Sequence, residues 1–134
     1  MKNNSNSLLY RRLKAKWFKP SHVAEIGVWH PQTSNIYQYI QDGIRTTLVE
    51  PDPNSIILIK SQFADYDNVT LYECALCDFN GRVELVQRQS STFVSSLSVS
   101  PAIVNDNCDV KPSDKFTAEA RLFSEIDAGT IDLL

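Results

Sequence analysis

The sequence predicts an α/β fold with parallel strands, and three observations carry that expectation. Short apolar runs, rich in β-branched residues and too short for helices, occur at residues 22–28, 46–50 and 69–76. Segments with apolar residues at helical spacing separate them, and the order strand, helix, strand, helix, strand implies parallel strands joined by crossovers. Each run also places an acid at or just beyond its end, in Glu25-Ile26-Gly27, in Leu48-Val49-Glu50-Pro51-Asp52-Pro53 and in Cys74-Ala75-Leu76-Cys77-Asp78. In an open α/β sheet the carboxyl ends of the strands form the ligand crevice, so three carboxylates at one edge outline a candidate cofactor site.

The elements follow in order. After the first strand, Thr33 or Ser34 is placed to cap a helix in which Ile36, Tyr37 and Ile40 recur at helical spacing, and Gly43 sits at its C-terminal stop. After the second strand, Asp52 is an N-cap and Pro53 occupies the first helical turn, where its missing N–H costs nothing. Ile56, Ile59, Lys60 and Phe63 are expected on the inward face of that helix. Beyond the third strand, Asp78-Phe79-Asn80-Gly81 forms a turn into an antiparallel strand at 82–87. Residues 90–100 are serine-rich and residues 101–114 form an irregular loop. A short strand at 115–120, a short helix at 122–128, a stop at Gly129 and the start of a fourth parallel strand at 131–134 complete the pattern.

At 134 residues the chain is long enough for one compact domain and too short for two ordinary ones. It divides into a basic helix or arm at 1–20 and an α/β domain at 21–134. No apolar run approaches the roughly 20 residues of a membrane helix. The opening residues have no apolar stretch of signal-peptide type. Three cysteines, an odd number, argue against a disulfide framework and for a reducing, cytoplasmic setting. Cys74-x-x-Cys77 leads into a turn rather than a helix, and Cys108, His22 and His30 do not complete a zinc set, so buried structural thiols are expected and no metal. His30 is the histidine placed near the crevice, and a solvated loop histidine is its simplest role.

Charge is distributed unevenly. Residues 1–24 carry six bases and no acid, whereas the remainder holds seven bases against sixteen acids. With Leu9, Leu13 and Trp17 at helical spacing, an amphipathic helix docking its apolar stripe on the domain is expected, its basic face solvated. Nucleic-acid or membrane contact through that arm is the lesser expectation.

The crevice chemistry narrows the cofactor. Glu50 follows Gly27 by 23 residues, close to the spacing of about 20 at which a dinucleotide-binding strand presents its ribose acid. Yet Gly27-Val28-Trp29-His30-Pro31-Gln32 has one glycine and a bulky indole, not the bare glycine turn a pyrophosphate requires. S-adenosylmethionine has no phosphate; an acidic crevice favours its cationic part, and Glu50 is suited to its ribose hydroxyls.

Val23-Ala24-Glu25-Ile26-Gly27, Val49-Glu50-Pro51-Asp52-Pro53, the third strand ending at Asp78, Asn80-Gly81-Arg82-Val83-Glu84-Leu85 and the closing Ile131-Asp132-Leu133-Leu134 occur in the order and spacing of one family. Residues 21–134 resemble the N-terminal half of FkbM-type S-adenosylmethionine-dependent methyltransferases. The resemblance implies a Rossmann-like class I methyltransferase fold cut after its fourth parallel strand, and methyl transfer to an oxygen of a small-molecule or glycan acceptor. It implies that Glu25 and Gly27 lie near the methionine moiety, that Glu50 binds the ribose, that Pro51 and Asp52 flank the adenosine, and that Ala75 and Leu76 border the adenine. Asp78 is read as a turn residue. The first turn departs from the family's Gly-Ala-Asn-x-Gly, and Trp29 either fills the methionine volume or stacks on another ligand. The acidic segment that follows the fourth strand in the family lies beyond Leu134, so the catalytic residues are unassigned. A non-catalytic binding or dimerisation module, joined as a homodimer at the edge near Leu134, is the competing expectation.

Overall fold

A computed structural model describes residues 7–88, 91–94, 114–126 and 129–134. The described residues form a mixed α/β structure with two sheets. Strands β1 (His22–Ile26), β2 (Arg45–Val49) and β3 (Val69–Tyr72) form a parallel sheet in that order. The parallel register pairs Glu25 with Leu48 and Thr46 with Val69. Against the free side of β1 runs the segment 130–133. It makes a parallel bridge between Val23 and Leu133, with the Ala24 N–H donating to the Leu133 carbonyl at 2.8 Å and the Asp132 N–H to the His22 carbonyl at 3.0 Å. The expected fourth parallel strand is therefore present as a single bridge beside β1.

Helices α1 (Leu8–Ala15), α2 (Tyr37–Gln41) and α3 (Pro53–Gln62) share one core with the parallel sheet. Tyr10, Val23, Ile36, Ile40, Leu48 and Ile59 meet there. α3 begins as its sequence dictates: the Asp52 carboxylate accepts from the Ser55 N–H at 2.9 Å, and Pro53 occupies the first turn. Gly43 ends α2 at a φ of 81°, a conformation that costs glycine little. α2 itself is shorter than its periodicity predicts. A 3-10 turn at Pro31–Thr33 precedes it, and neither Thr33 nor Ser34 is its N-cap; Ile36 is, without a side-chain bond.

Two faces differ from expectation. Lys60 is exposed and pairs with Glu73 at 2.9 Å, leaving Ser55, Ile56 and Ile59 to face inward from α3. On α1 the docked residues are Tyr10, 5% exposed, and its neighbour one turn on, Leu13. Leu9 and Trp17 are exposed, so of the predicted stripe only Leu13 docks; the helix ends at Ala15, and the chain turns before Trp17 can continue it.

The third strand is broken. β3 stops at Tyr72, and after Glu73 and the buried Cys74 the chain resumes as β4 (Ala75–Leu76) in a different sheet. That sheet has the order β4, β7 (Lys115–Arg121), β5 (Gly81–Arg88), β6 (Ser91–Val94). β4 runs parallel to β7, whereas β5 is antiparallel to both β6 and β7. The expected helix at 122–128 is a 3-10 turn at Phe123–Glu125, and its last two positions lie outside the described residues. The serine-rich stretch other than 91–94, the loop from 101 to 113 and Cys108 also lie outside them. No helix among the described residues is long and apolar enough to cross a membrane.

Candidate functional site

The parity of the strands decides which predicted residues meet. Successive strand residues point to opposite faces. Val23 and Leu48 share the helical core, and Glu25, paired with Leu48, lies on their side of the sheet. Its carboxylate accepts from the Ser34 hydroxyl and, at 3.4 Å, from the Asn35 N–H. Val49, one residue on from Leu48, packs instead with Cys74 and Ile126 on the other side. Here a cavity of about 360 Å³ opens at the carboxyl ends of β1 and β2. That volume lies within the range of small-molecule sites.

Gly27, Glu50, Pro51, Ala75 and Leu76 all line this cavity, so five of the seven predicted site residues converge. Glu25 and Asp52 are not among its lining residues. Glu25 holds the turn before α2, and Asp52 is committed to capping α3, where it also accepts from the Ser55 hydroxyl at 3.0 Å. His30 is also outside the cavity lining, with its ring 4.0 Å from that of Trp29. Asp78 is exposed in its turn.

Glu50 is the centre of the site and is 3% exposed. Its Oε1 accepts from the Trp29 N–H at 2.7 Å and its Oε2 from the Asp52 N–H at 3.1 Å; the Val28 N–H supports the same carboxylate. Burial pushes the Glu50 carboxyl above the ordinary glutamate range; the N–H groups of Trp29, Asp52 and Val28 oppose that shift, and the Asp52 charge adds to it. Burial likewise raises Glu25, against the Ser34 hydroxyl and Asn35 N–H, and the charge on Glu50 raises it further.

The turn around Glu50 is built from two left-handed residues. Gly27 has a φ of 79° and Trp29 a φ of 59°, with buried Val28 between them. A bulky residue at positive φ is uncommon. Here the conformation aims the successive N–H groups of Val28 and Trp29 at one carboxylate, a concavity of the kind that binds anions. It also brings Trp29 to the cavity wall.

The remaining walls were invisible to the sequence reading. Leu85 and Gln87 from β5 and Thr92 and Val94 from β6 close the cavity, and the Thr92 hydroxyl donates to the Gln87 side-chain oxygen. The alternation of Val83 and Leu85 marked a strand, but nothing local indicated which sheet it would join. Cys74 and Cys77 line the cavity as free thiols, the first 1% exposed and the second half-buried. Burial raises both above the ordinary thiol range, which keeps them protonated and poorly nucleophilic. No cluster of metal-ligating side chains occurs among the described residues.

The cavity thus offers apolar walls from Val49, Pro51, Leu76 and Leu85, one aromatic face and one buried carboxylate. Such a lining suits a flat apolar ring carrying hydroxyl donors. Comparison with protein-family models, with curated proteins and with solved structures yields no match to this chain.

Proposed function

We propose that this cavity holds the nucleoside part of S-adenosylmethionine and that the chain forms the N-terminal half of an FkbM-type methyltransferase with a Rossmann-like class I fold. The observation that carries the reading is the convergence on one cavity of Gly27 after β1, Glu50 and Pro51 after β2, and Ala75 and Leu76 of β4. The residues fit the group. Three N–H donors leave the Glu50 carboxylate room for one further donor, which suits a ribose hydroxyl. Pro51, Ala75 and Leu76 supply apolar contact for adenine. The Trp29 indole at the wall suits a neighbouring sulfonium cation, as aromatic rings suit cations in general. When bound, S-adenosylmethionine supplies an electrophilic methyl group on sulfur. The role of this chain is to bind and orient it, since in-line displacement depends mainly on alignment. The oxygen acceptor, a small molecule or a glycan, belongs to the same proposal, and no described residue is assigned to it.

A second reading has its own support. The Glu50 carboxylate already fastens the Gly27–Trp29 turn to the start of α3, as a structural lock would. A non-catalytic nucleoside-binding or dimerisation module needs nothing more. Titration calorimetry with S-adenosylhomocysteine tests both readings. The expected result is saturable heat that disappears in Ala75→Trp, which fills the cavity, and weakens in Glu50→Gln. Absence of heat at millimolar ligand with a folded protein overturns the cofactor reading. Binding without methyl transfer to any acceptor supports the module, and a single monomeric mass at all concentrations in sedimentation removes its homodimer form.

A further inference from the structure

A second surface, remote in sequence from the cavity, carries the basic arm. Arg11, Arg12, Lys14, Lys16 and Lys19 are all exposed, and no acid occurs between Ser7 and Ala24. Trp17 stands among them with 85% of its surface exposed, and Phe18 beside it is exposed as well. Trp17 has a φ of 61°. Its N–H donates to the Lys14 carbonyl at 3.0 Å, while the N–H groups of Lys16 and Phe18 donate to the Leu13 carbonyl at 3.0 and 3.1 Å. A hydrogen-bonded turn therefore presents the indole outward. Leaving the largest apolar side chain in water is unfavourable unless a partner covers it.

Next to Trp17 lies an apolar trough of about 330 Å³, walled by Phe18, Pro20, Tyr39 and Ile44, with Lys14 and Lys19 among its lining. The acid in that lining, Asp42, accepts from the Tyr10 hydroxyl at 2.6 Å, and the Lys14 ammonium donates to the same hydroxyl at 2.8 Å. Lys14 thus offsets the Asp42 charge through the phenol. The other cations lie in a stretch of sequence that contains no acid of its own.

We propose that residues 11–20 form a docking surface for an anionic lipid bilayer, with Trp17 and Phe18 entering the interfacial layer and the lysines meeting lipid headgroups. Charge complementarity selects the occupant. Long basic side chains spread their stems over apolar surface and keep their heads at the polar boundary, which is also where indole rings partition. Residues 25–134 carry a net charge of −9, so an anionic surface repels the rest of the chain and orients this face toward itself. A polynucleotide site would instead need a groove following the phosphates, with aromatic platforms spaced for successive bases. Here the two exposed aromatic residues are adjacent and open onto an apolar trough. This surface is independent of the cofactor reading and stands or falls without it.

Sedimentation of the full chain with vesicles tests the proposal. Phosphatidylcholine vesicles containing roughly 30% phosphatidylserine are expected to retain the protein at low salt, and pure phosphatidylcholine vesicles are not. Each cation near an anionic surface strengthens partitioning by about fivefold, so Lys16→Ala with Lys19→Ala is expected to weaken it about 25-fold. Trp17→Ala is expected to weaken it roughly tenfold while leaving the circular dichroism spectrum unchanged, because the indole contributes little to the core. The double lysine variant keeps the test decisive if Trp17→Ala unfolds. Equal retention by neutral and anionic vesicles, no retention of the unaltered chain, unaltered retention of the lysine variant, or displacement from vesicles by a single-stranded oligonucleotide overturns the proposal.

Discussion

The parallel sheet buries Val23, Ile40, Leu48, Ile59 and Phe63 in one core with three helices, whereas the second sheet closes over Val83, Leu85, Ala118 and Ala120. Large branched and aromatic side chains remove far more apolar surface from water than a pair of alanines does. The two sheets therefore play unequal parts. The first is the scaffold that sets the positions of Gly27 and Glu50, and the second is a thinner wall leaning on it through Val49, Cys74 and Ile126. The candidate site lies where they meet, with walls from both.

Core truncation gives the largest expected effect and tests that inequality directly. Leu48→Ala, at a position with no exposed surface, is expected to cost about 3–4 kcal/mol in urea unfolding. Leu85→Ala, in the second sheet, is expected to cost about 2 kcal/mol, at the low end for such changes because one side of Leu85 faces the open cavity instead of packed neighbours. Amide exchange in the leucine-85 variant should quicken in β5 and β7 before it does in β1 and β2. Equal losses and uniform exchange would mean that both sheets form one cooperative unit.

A smaller effect is expected at the joint between the halves. Asp52→Ala removes the cap of α3 and should cost about 1 kcal/mol, while Asp52→Asn should retain most of the stability. The loss is expected in the scaffold and not in β5–β7, a distinction that amide exchange resolves residue by residue.

The smallest effect is a dependence on pH. Burial raises the Glu50 carboxyl above its ordinary value of 4.5, so the folded state binds the proton more tightly than the unfolded chain does. Its contribution to stability is complete below that ordinary value and is lost as pH rises through the folded one. Glu50→Gln does not titrate there. The stability of the unaltered protein relative to this variant should therefore fall as the pH rises from about 4.5 toward neutrality, measured by thermal unfolding at several pH values. A difference that grows with pH would place the Glu50 carboxyl below its ordinary value and make its N–H partners dominant.

What was legible in the sequence was what local chemistry controls. β1 and β2 stand within one or two residues of the apolar runs that announce them, because short branched runs between turn residues have few other conformations open to them. α3 starts where Asp52 and Pro53 require, and α2 stops where Gly43 permits a positive φ. The apolar run at 69–76 misled, because its pattern carries no sign of Glu73 pairing with Lys60 or of Ala75 pairing with Ala120. On α1 the leucine spacing pointed to Leu9, Leu13 and Trp17; Leu13 docks as expected, but its partner in the core is Tyr10, since the helix is too short to carry the stripe as far as Trp17.

The sequence by itself thus determined the alternation of strands and helices, the caps and turns between them, and the placing of Glu25 and Glu50 near the ends of adjacent parallel strands, whereas Asp78 follows β4 of the other sheet. Only the tertiary structure decided which acid reaches the cavity. Glu25 and Glu50 stand at the ends of neighbouring strands, but Glu25 is turned toward Ser34 while Glu50 sits beneath the Trp29 N–H at the cavity wall. The reason is physical: the face a strand residue takes depends on pairing register and on the core the sheet covers, and both are set by partners far away in the chain.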